Sequence, residues 1–171
     1  MATEFISGLD HYETVISKVY SVKRTLWIGT ADIKDLHVKV GNSAKPFLEV
    51  LDLLLKRGVE IRLIHAKEPG PVFREDFDRF PRLCNLLERV LCPRVHFKTI
   101  IFDNEVAYIG SANLTGAGIG MKSENKRNFE AGILTDETTL VEGAIELFDS
   151  VWRGEYCKKC GRKQFCPEPI K

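Results

Sequence analysis

No stretch of this sequence approaches the roughly 20 consecutive apolar residues that a membrane-crossing helix needs, so integral membrane association is not expected. Neither sign of charge is in excess. Twenty-five Lys and Arg stand against 24 Asp and Glu, and no global field commits the chain to a polyanion or to a lipid surface. An internal repeat and a low-complexity tract are both missing, so solenoid architectures are set aside, and function should come from a single site or from symmetry between chains. The opening Met1-Ala2-Thr3-Glu4 lacks the basic and apolar regions of a secretory leader, which makes a cytoplasmic location the expectation. Cysteine is scarce and odd in number, at five. That count speaks against a disulfide framework and for thiols, a metal or plain packing.

What is present suits one globular domain. The chain has 171 residues, 44% hydrophobic and 29% charged, enough for one buried core and too short for two comfortable ones. Charge is unevenly distributed along it. Residues 101–150 hold three basic and nine acidic groups, whereas 151–171 hold six basic and two acidic ones. The expected division is a main domain over residues 1–154 followed by a basic, cysteine-bearing tail over 155–171.

Hydrophobic periodicity orders the main domain. Val15, Ile16 and Val19 mark an amphipathic helix between Leu9 and Val22, and Thr25 to Ala31 reads as a buried strand. Asp32 to Asn42 is a polar connection in which Gly41 and Asn42 allow a turn. Ser43 is a candidate cap for a helix with Pro46 in its first turn, an apolar stripe from Phe47 to Leu55, and Gly58 closing it. Val59 to His65 alternates as a strand should, and Pro69-Gly70-Pro71 stops it. After a turn-rich stretch, Leu83 to Leu91 carries helical spacing. Val95 to Phe102 and Val106 to Ser111 form a predicted hairpin through Asp103-Asn104, Phe129 to Thr135 another strand, and Thr139 to Trp152 a helix. This alternation predicts an α/β/α sandwich with a central mixed β-sheet. Trp27 and Trp152 fall in apolar runs and are expected in the core. Glycines 116, 118 and 120 match no nucleotide-binding fingerprint and are expected to form a flexible rim.

The residues that carry chemistry lie in His96-Phe-Lys98-Thr-Ile-Ile-Phe-Asp103 and in Gly110-Ser111-Ala-Asn113 beyond it. Side chains two apart on a strand share a face, so His96 points with Lys98, and Ser111 with Asn113. A nucleophile, a cation and two neutral hydrogen-bonding groups then converge without a metal. Such a group suits a phosphodiester: imidazole attacks phosphorus while Lys98 and Asn113 counter charge on the transition-state oxygens. A lone histidine on an apolar strand is ordinarily a packing residue, and it is the joint pattern that argues otherwise.

This pattern resembles the phospholipase D superfamily, whose signature is H-x-K-x4-D with G-S-x-N just beyond. Every signature position is filled, Asn128-Phe-Glu130 looks like the family's downstream glutamate, and the resemblance covers most of residues 10–152 in element order. It implies an α/β/α sandwich and a reaction through a covalent phosphohistidine. Carried over by position, His96 is the nucleophile, Lys98, Ser111 and Asn113 bind phosphate, and Glu130 orients the imidazole. Asp103 also matches, but it lies at the hairpin turn, away from the His96 face, and is assigned to structure. No cofactor is expected for catalysis.

Large members of the family carry two such motifs per chain, and this chain carries one. His65-Ala-Lys67 lacks both the Asp five residues beyond Lys67 and a following G-S-x-N, so it is read as a decoy. Short nuclease-like members pair two identical chains about a two-fold axis, which implies a homodimer here. The expected activity is that of a nuclease, an endonuclease, on compactness and the basic tail; a phospholipase D-type lipid hydrolase or transferase and a non-catalytic phosphate- or nucleic-acid-binding module are the alternatives. In the tail, Cys157-Lys-Lys-Cys160-Gly, with Cys166 further on, has the spacing of a metal knuckle. Zinc is the first candidate ligand and an iron–sulfur cluster the second. Cys84, Cys92, a histidine or a partner chain could supply the fourth ligand.

Overall fold

The computed structural model of the chain describes residues 3–34, 36–40 and 42–167. Nine strands and four α-helices are found among them. The main sheet has seven strands in the order β1 (Glu4–Ser7), β9 (Ala131–Thr135), β8 (Val106–Gly110), β7 (Lys98–Phe102), β2 (Thr25–Thr30), β5 (Glu60–His65) and β6 (Glu88–Leu91). It is mixed: β2, β5 and β6 run parallel, and every other pairing is antiparallel. Helices cover both faces. The N-terminal helical turns (His11–Ile16 and Val19–Ser21) join α1 (Phe47–Lys56), α2 (Pro71–Asp78) and α3 (Pro81–Leu86) over one face, in a core that includes Leu26, Ile28, Leu51, Leu63, Leu83 and Ile100. The other face is covered by α4 (Thr138–Trp152) through Val141, Ala144 and Phe148, which meet Ile64, Ile101 and Ala107. This is the α/β/α sandwich.

β7 lies at the centre of the sheet because all five of its residues are buried, and a strand with no polar face must be paired and covered on both sides. Phe148 anchors the α4 layer. Its fully buried ring stacks on Trp27 at 5.1 Å and on Trp152 at 6.0 Å, and truncating it to Ala should cost about 3–5 kcal/mol. The two tryptophans are half-buried rather than core residues: both sandwich the Arg62 guanidinium, at 5.0 and 5.2 Å.

Several elements depart from the sequence expectation. Ser43 does not cap a helix. It opens β4 (Ser43–Pro46), which pairs with β3 (His37–Val40) in a small separate hairpin, and α1 starts after Pro46. Gly41, expected to help turn this segment, lies outside the described residues. The supposed helix over Leu83 to Leu91 is divided at Leu87, whose extended backbone (ψ 115°) ends α3 and lets Glu88–Leu91 pair with β5. Short apolar runs carry both periodicities, and here an open sheet edge decides. Pro71 and Pro81 each begin a helix at positions where a missing N–H costs nothing. The amphipathic segment after Leu9 is a π-helical turn followed by a 3-10 turn. Gly118 and Gly120 are buried, and Gly120, at φ +81°, packs against the backbone of Gly8. They are packed loop residues and not a flexible rim.

Candidate active site

The hairpin β7–β8 sets the geometry. Lys98 pairs with Gly110 across the two strands, so residues just before Lys98 and just after Gly110 emerge together at one end of the sheet. His96 lies on the segment entering β7 and is exposed, while Lys98 is buried to 6% exposure. The Lys98 ammonium donates to the His96 carbonyl at 2.6 Å and sits 3.3 Å from Nδ1 and 3.4 Å from Nε2 of the imidazole. An ammonium has only donors, so only the ring nitrogen without a proton can accept from it. Burial pushes the Lys98 ammonium below its usual range, and the Glu130 charge partly restores it.

Two glycines clear the space around this pair. A Cβ on Gly29 would stand 2.2 Å from the ring of Phe97, and one on Gly110 would stand 2.2 Å from the Tyr108 hydroxyl. Phe97 can therefore pack over β2 toward α4, while its neighbours His96 and Lys98 face the opposite side. Tyr108 lies beneath the site, edge-on to buried His11 at 5.6 Å, and both line a small cavity under Lys98. Burial raises the Tyr108 hydroxyl to about 12, so it stays an uncharged phenol at neutral pH.

The return arm brings the other predicted residues in. Ser111 Oγ donates to Glu130 Oε2 at 2.5 Å and accepts from the Ala131 N–H at 3.1 Å, and the amide of Asn128 donates to Glu130 Oε1 at 3.1 Å. Within one chain, then, the Glu130 carboxylate is held by Ser111 and Asn128. Asn113 Oδ1 accepts from the Asp32 N–H at 3.0 Å and from Thr30 Oγ at 3.3 Å, which ties the oxygen end of the amide to the end of β2. Thr30 and Asp32 were invisible to motif reasoning, since both lie more than 80 residues from Asn113 in a segment that looks like ordinary strand and loop.

Asp103 is elsewhere. It sits in the turn at the opposite end of β7, where Asp103 and Asn104 have φ of 53° and 59°. Its carboxylate accepts the backbone N–H groups of Lys23, Arg24 and Thr25 at 2.6 to 3.1 Å, tying the hairpin to the entry of β2. Burial alone would raise its titration; those three N–H groups and the Arg24 charge overcome it and hold the carboxyl below its ordinary 3.8. His65 of the decoy motif ends β5 fully buried, its Nδ1 bonded to the Lys67 carbonyl at 2.7 Å.

The tail leaves α4 in successive turns. Cys160 Sγ accepts the Arg162 N–H at 3.4 Å, and that bond, with the Arg94 and Lys163 charges, pulls the thiol below its usual range. Cys157, Cys160 and Cys166 are partly exposed free thiols. Among the described residues, no group of three or more His, Cys, Asp or Glu side chains is assembled for a metal.

Comparison with known proteins bears on the fold and the family. The family described as "Cardiolipin synthase, PLD-like domain" matches residues 15–152. Comparison with the curated proteins finds no match. Among solved structures, NucT from Helicobacter pylori superposes with a TM-score of 0.66 at 14% identity, over 88% of this chain and 95% of that one. Nuc from Salmonella typhimurium, a phospholipase D family member, gives 0.63 at 18% identity over the same shares. TrmBL2, an archaeal chromatin protein, gives 0.62 at 13% identity, over 90% of this chain and 53% of that one. With one motif-bearing sheet matched over most of its length, the chain belongs to the phospholipase D-like family.

Proposed function

We propose that the protein is a phosphodiesterase acting on nucleic acid through a phosphohistidine at His96. The observation that carries this reading is the exposed His96 imidazole within 3.3 Å of a buried ammonium, beside the hydroxyl of Ser111 and the amide of Asn113. An imidazole nitrogen of His96 attacks phosphorus as the P–O bond to the leaving group breaks. Lys98 and Asn113 offset charge on the non-bridging oxygens, and a second imidazole gives its proton to the departing oxygen. Water then attacks the phosphohistidine, losing its proton to that same second imidazole, and the P–N bond breaks to restore His96.

A single chain has one such histidine, so the second comes from the facing copy of a homodimer. In one chain Glu130 positions Ser111 and supports the Lys98 charge; across the two-fold axis the same carboxylate would orient an imidazole. Nucleic acid is favoured as substrate by the fold shared with the DNA-binding chromatin protein TrmBL2. No helix among the described residues is long and apolar enough to cross a membrane.

Quenching turnover of single-stranded DNA, duplex DNA, RNA and phospholipid in alkaline denaturant, where the P–N bond of a phosphohistidine survives, followed by peptide mass spectrometry, tests both substrate and mechanism. A phosphoryl adduct on His96, absent in His96→Asn, is the expected result. Turnover without any adduct, or turnover of phospholipid alone, would overturn the proposal.

A further inference from the structure

Residues 101–150 are acidic overall, yet the three basic residues they contain, Lys122, Lys126 and Arg127, all fall in one loop. That loop leaves the site at Asn113 and returns to it at Glu130, and within residues 114–129 Glu124 is its one acidic side chain. Internal bonds hold its shape. Arg127 Nε donates to the Lys122 carbonyl at 2.7 Å, and the Asn128 N–H donates to the Ala117 carbonyl at 3.1 Å. Each end of the loop carries a feature that the reaction itself does not use.

At the Asn113 end, Thr115, Gly116 and Lys122 line a groove of about 450 Å³ with Lys34 and His37 on its other side. The groove joins the site directly, because Ile33 bridges to Leu114 and the Lys34 N–H donates to the Leu114 carbonyl at 3.1 Å. Asp32, beside Lys34, is closer to Lys67 (3.3 Å) than to Lys34 (3.8 Å). At the Glu130 end, Phe129 is fully exposed, one residue from the carboxylate that holds Ser111. A bare phenyl ring in that position offers a face to a planar ligand.

Resting on the phosphodiesterase reading above, we infer that this loop is a track for single-stranded nucleic acid: Lys34 and Lys122 hold phosphates flanking the scissile one, and a base stacks on Phe129. The two features answer to the two repeating chemistries of a single strand, anionic backbone and aromatic base. A phospholipid would match the cations but would leave the ring without a planar partner.

Binding of fluorescein-labelled oligo(dT) to full-length His96→Asn protein, followed by anisotropy across a salt series, tests the track. Replacing Lys34 and Lys122 together by Ala should flatten the slope of log K against log salt by about 1–1.5, the change expected for two lost phosphate contacts on a single strand. Phe129→Ala should weaken binding about tenfold or more, and Phe129→Trp should restore it. In the His96-containing protein, the Lys34 and Lys122 changes should lower kcat/KM for the oligonucleotide relative to that for bis(p-nitrophenyl) phosphate, which has no flanking phosphate for them to hold. An unchanged salt slope, no rescue by Trp, or a Phe129→Ala loss fully explained by dissociation of a dimer in light scattering would overturn the track. A protein that hydrolyses neither diester would instead overturn the phosphodiesterase reading, and the anisotropy series would still decide the track.

Discussion

Replacing Asp103 by Asn should destabilise the protein without removing its chemistry. The carboxylate receives three backbone N–H groups, from Lys23, Arg24 and Thr25, and a hydrogen bond to a charged group contributes about 1.5–3 kcal/mol, nearer the lower figure where water has access. An Asn side chain keeps one oxygen with two lone pairs, so it can retain two of the three bonds without the charge; a loss of ~2 kcal/mol is expected. Asn tolerates the positive φ of 53° at this position. Ala does not, and it accepts nothing, so Asp103→Ala should cost ~4 kcal/mol, a large part of the 5–15 kcal/mol that holds a typical domain together. The site lies five residues back along β7, about 16 Å away at strand rise. Urea unfolding should therefore show a lower midpoint at unchanged slope, while turnover of bis(p-nitrophenyl) phosphate per folded molecule stays within about twofold of wild type, a small fraction of the barrier changes that losing a reacting group brings. The pH dependence has a definite sign. Because the folded carboxyl titrates below its ordinary 3.8, its stabilisation is complete above that value and is lost as pH falls through the lower folded one. The gap between wild type and Asp103→Asn should close on acidification. An unchanged midpoint together with abolished turnover would refute the structural assignment.

The shared site, the buried histidines and the tail each give a further test. Cleavage should survive chelators, since His96, Lys98 and Asn113 already supply attack and charge compensation, and dimers of one wild-type and one His96→Asn chain, purified through two tags, should turn over far below half the wild-type rate; a magnesium requirement, or half-rate heterodimers, would count against the shared metal-free site. Burial holds buried His65 and His11 below the ordinary 6.5, so the unfolded chain takes up protons first, and stability should fall as pH drops from about 6.5 through their lower folded values; His65→Gln should flatten that slope in thermal melts, and an equal slope would remove His65 from the account. For the tail, the Cys157–Cys160 spacing is the signal for a metal, although Cys157, Cys160 and Cys166 are not gathered into a site; elemental analysis finding zinc in proportion to chains, and losing it in Cys160→Ser, would establish one, whereas metal-free protein with fully reactive native thiols would end the idea.

The layered fold and the family were legible because they depend on local pattern. Alternation, helical stripes and an Asp-Asn turn are written within a few residues of each element, and the motif positions are fixed by identity and spacing. What escaped depended on partners far away in the chain. Glu88–Leu91 is a strand only because β5 offers it an edge, and Ser43 enters a hairpin whose other arm is His37–Val40. The support of Asn113 by Thr30 and the Asp32 backbone joins segments more than 80 residues apart, and neither end carries a signal that names the other. Glu130 shows the same limit from within the site: its motif position was readable, but its bonds to Ser111 and Asn128 were not.

The spacing of the H-x-K-x4-D motif acquires a physical meaning once β7 is in place. His96 enters the strand, Lys98 is its first residue, Phe102 its last, and Asp103 follows in the turn. Five residues are what separate the ammonium from the far end of a strand buried on both faces. A carboxylate at that far end cannot reach the phosphate, but it can fix the strand's position by seizing the N–H groups where β2 begins. β2 in turn ends at Thr30, which holds Asn113. Asp103 thus acts on the site through two adjacent, antiparallel strands: it sets the register of β7 against β2 at one end, and His96, Lys98 and Asn113 inherit that register at the other. Because a register slip of one residue would turn every side chain of β7 to the opposite face, a structural lock at the turn and a reactive pair at the mouth belong to one motif.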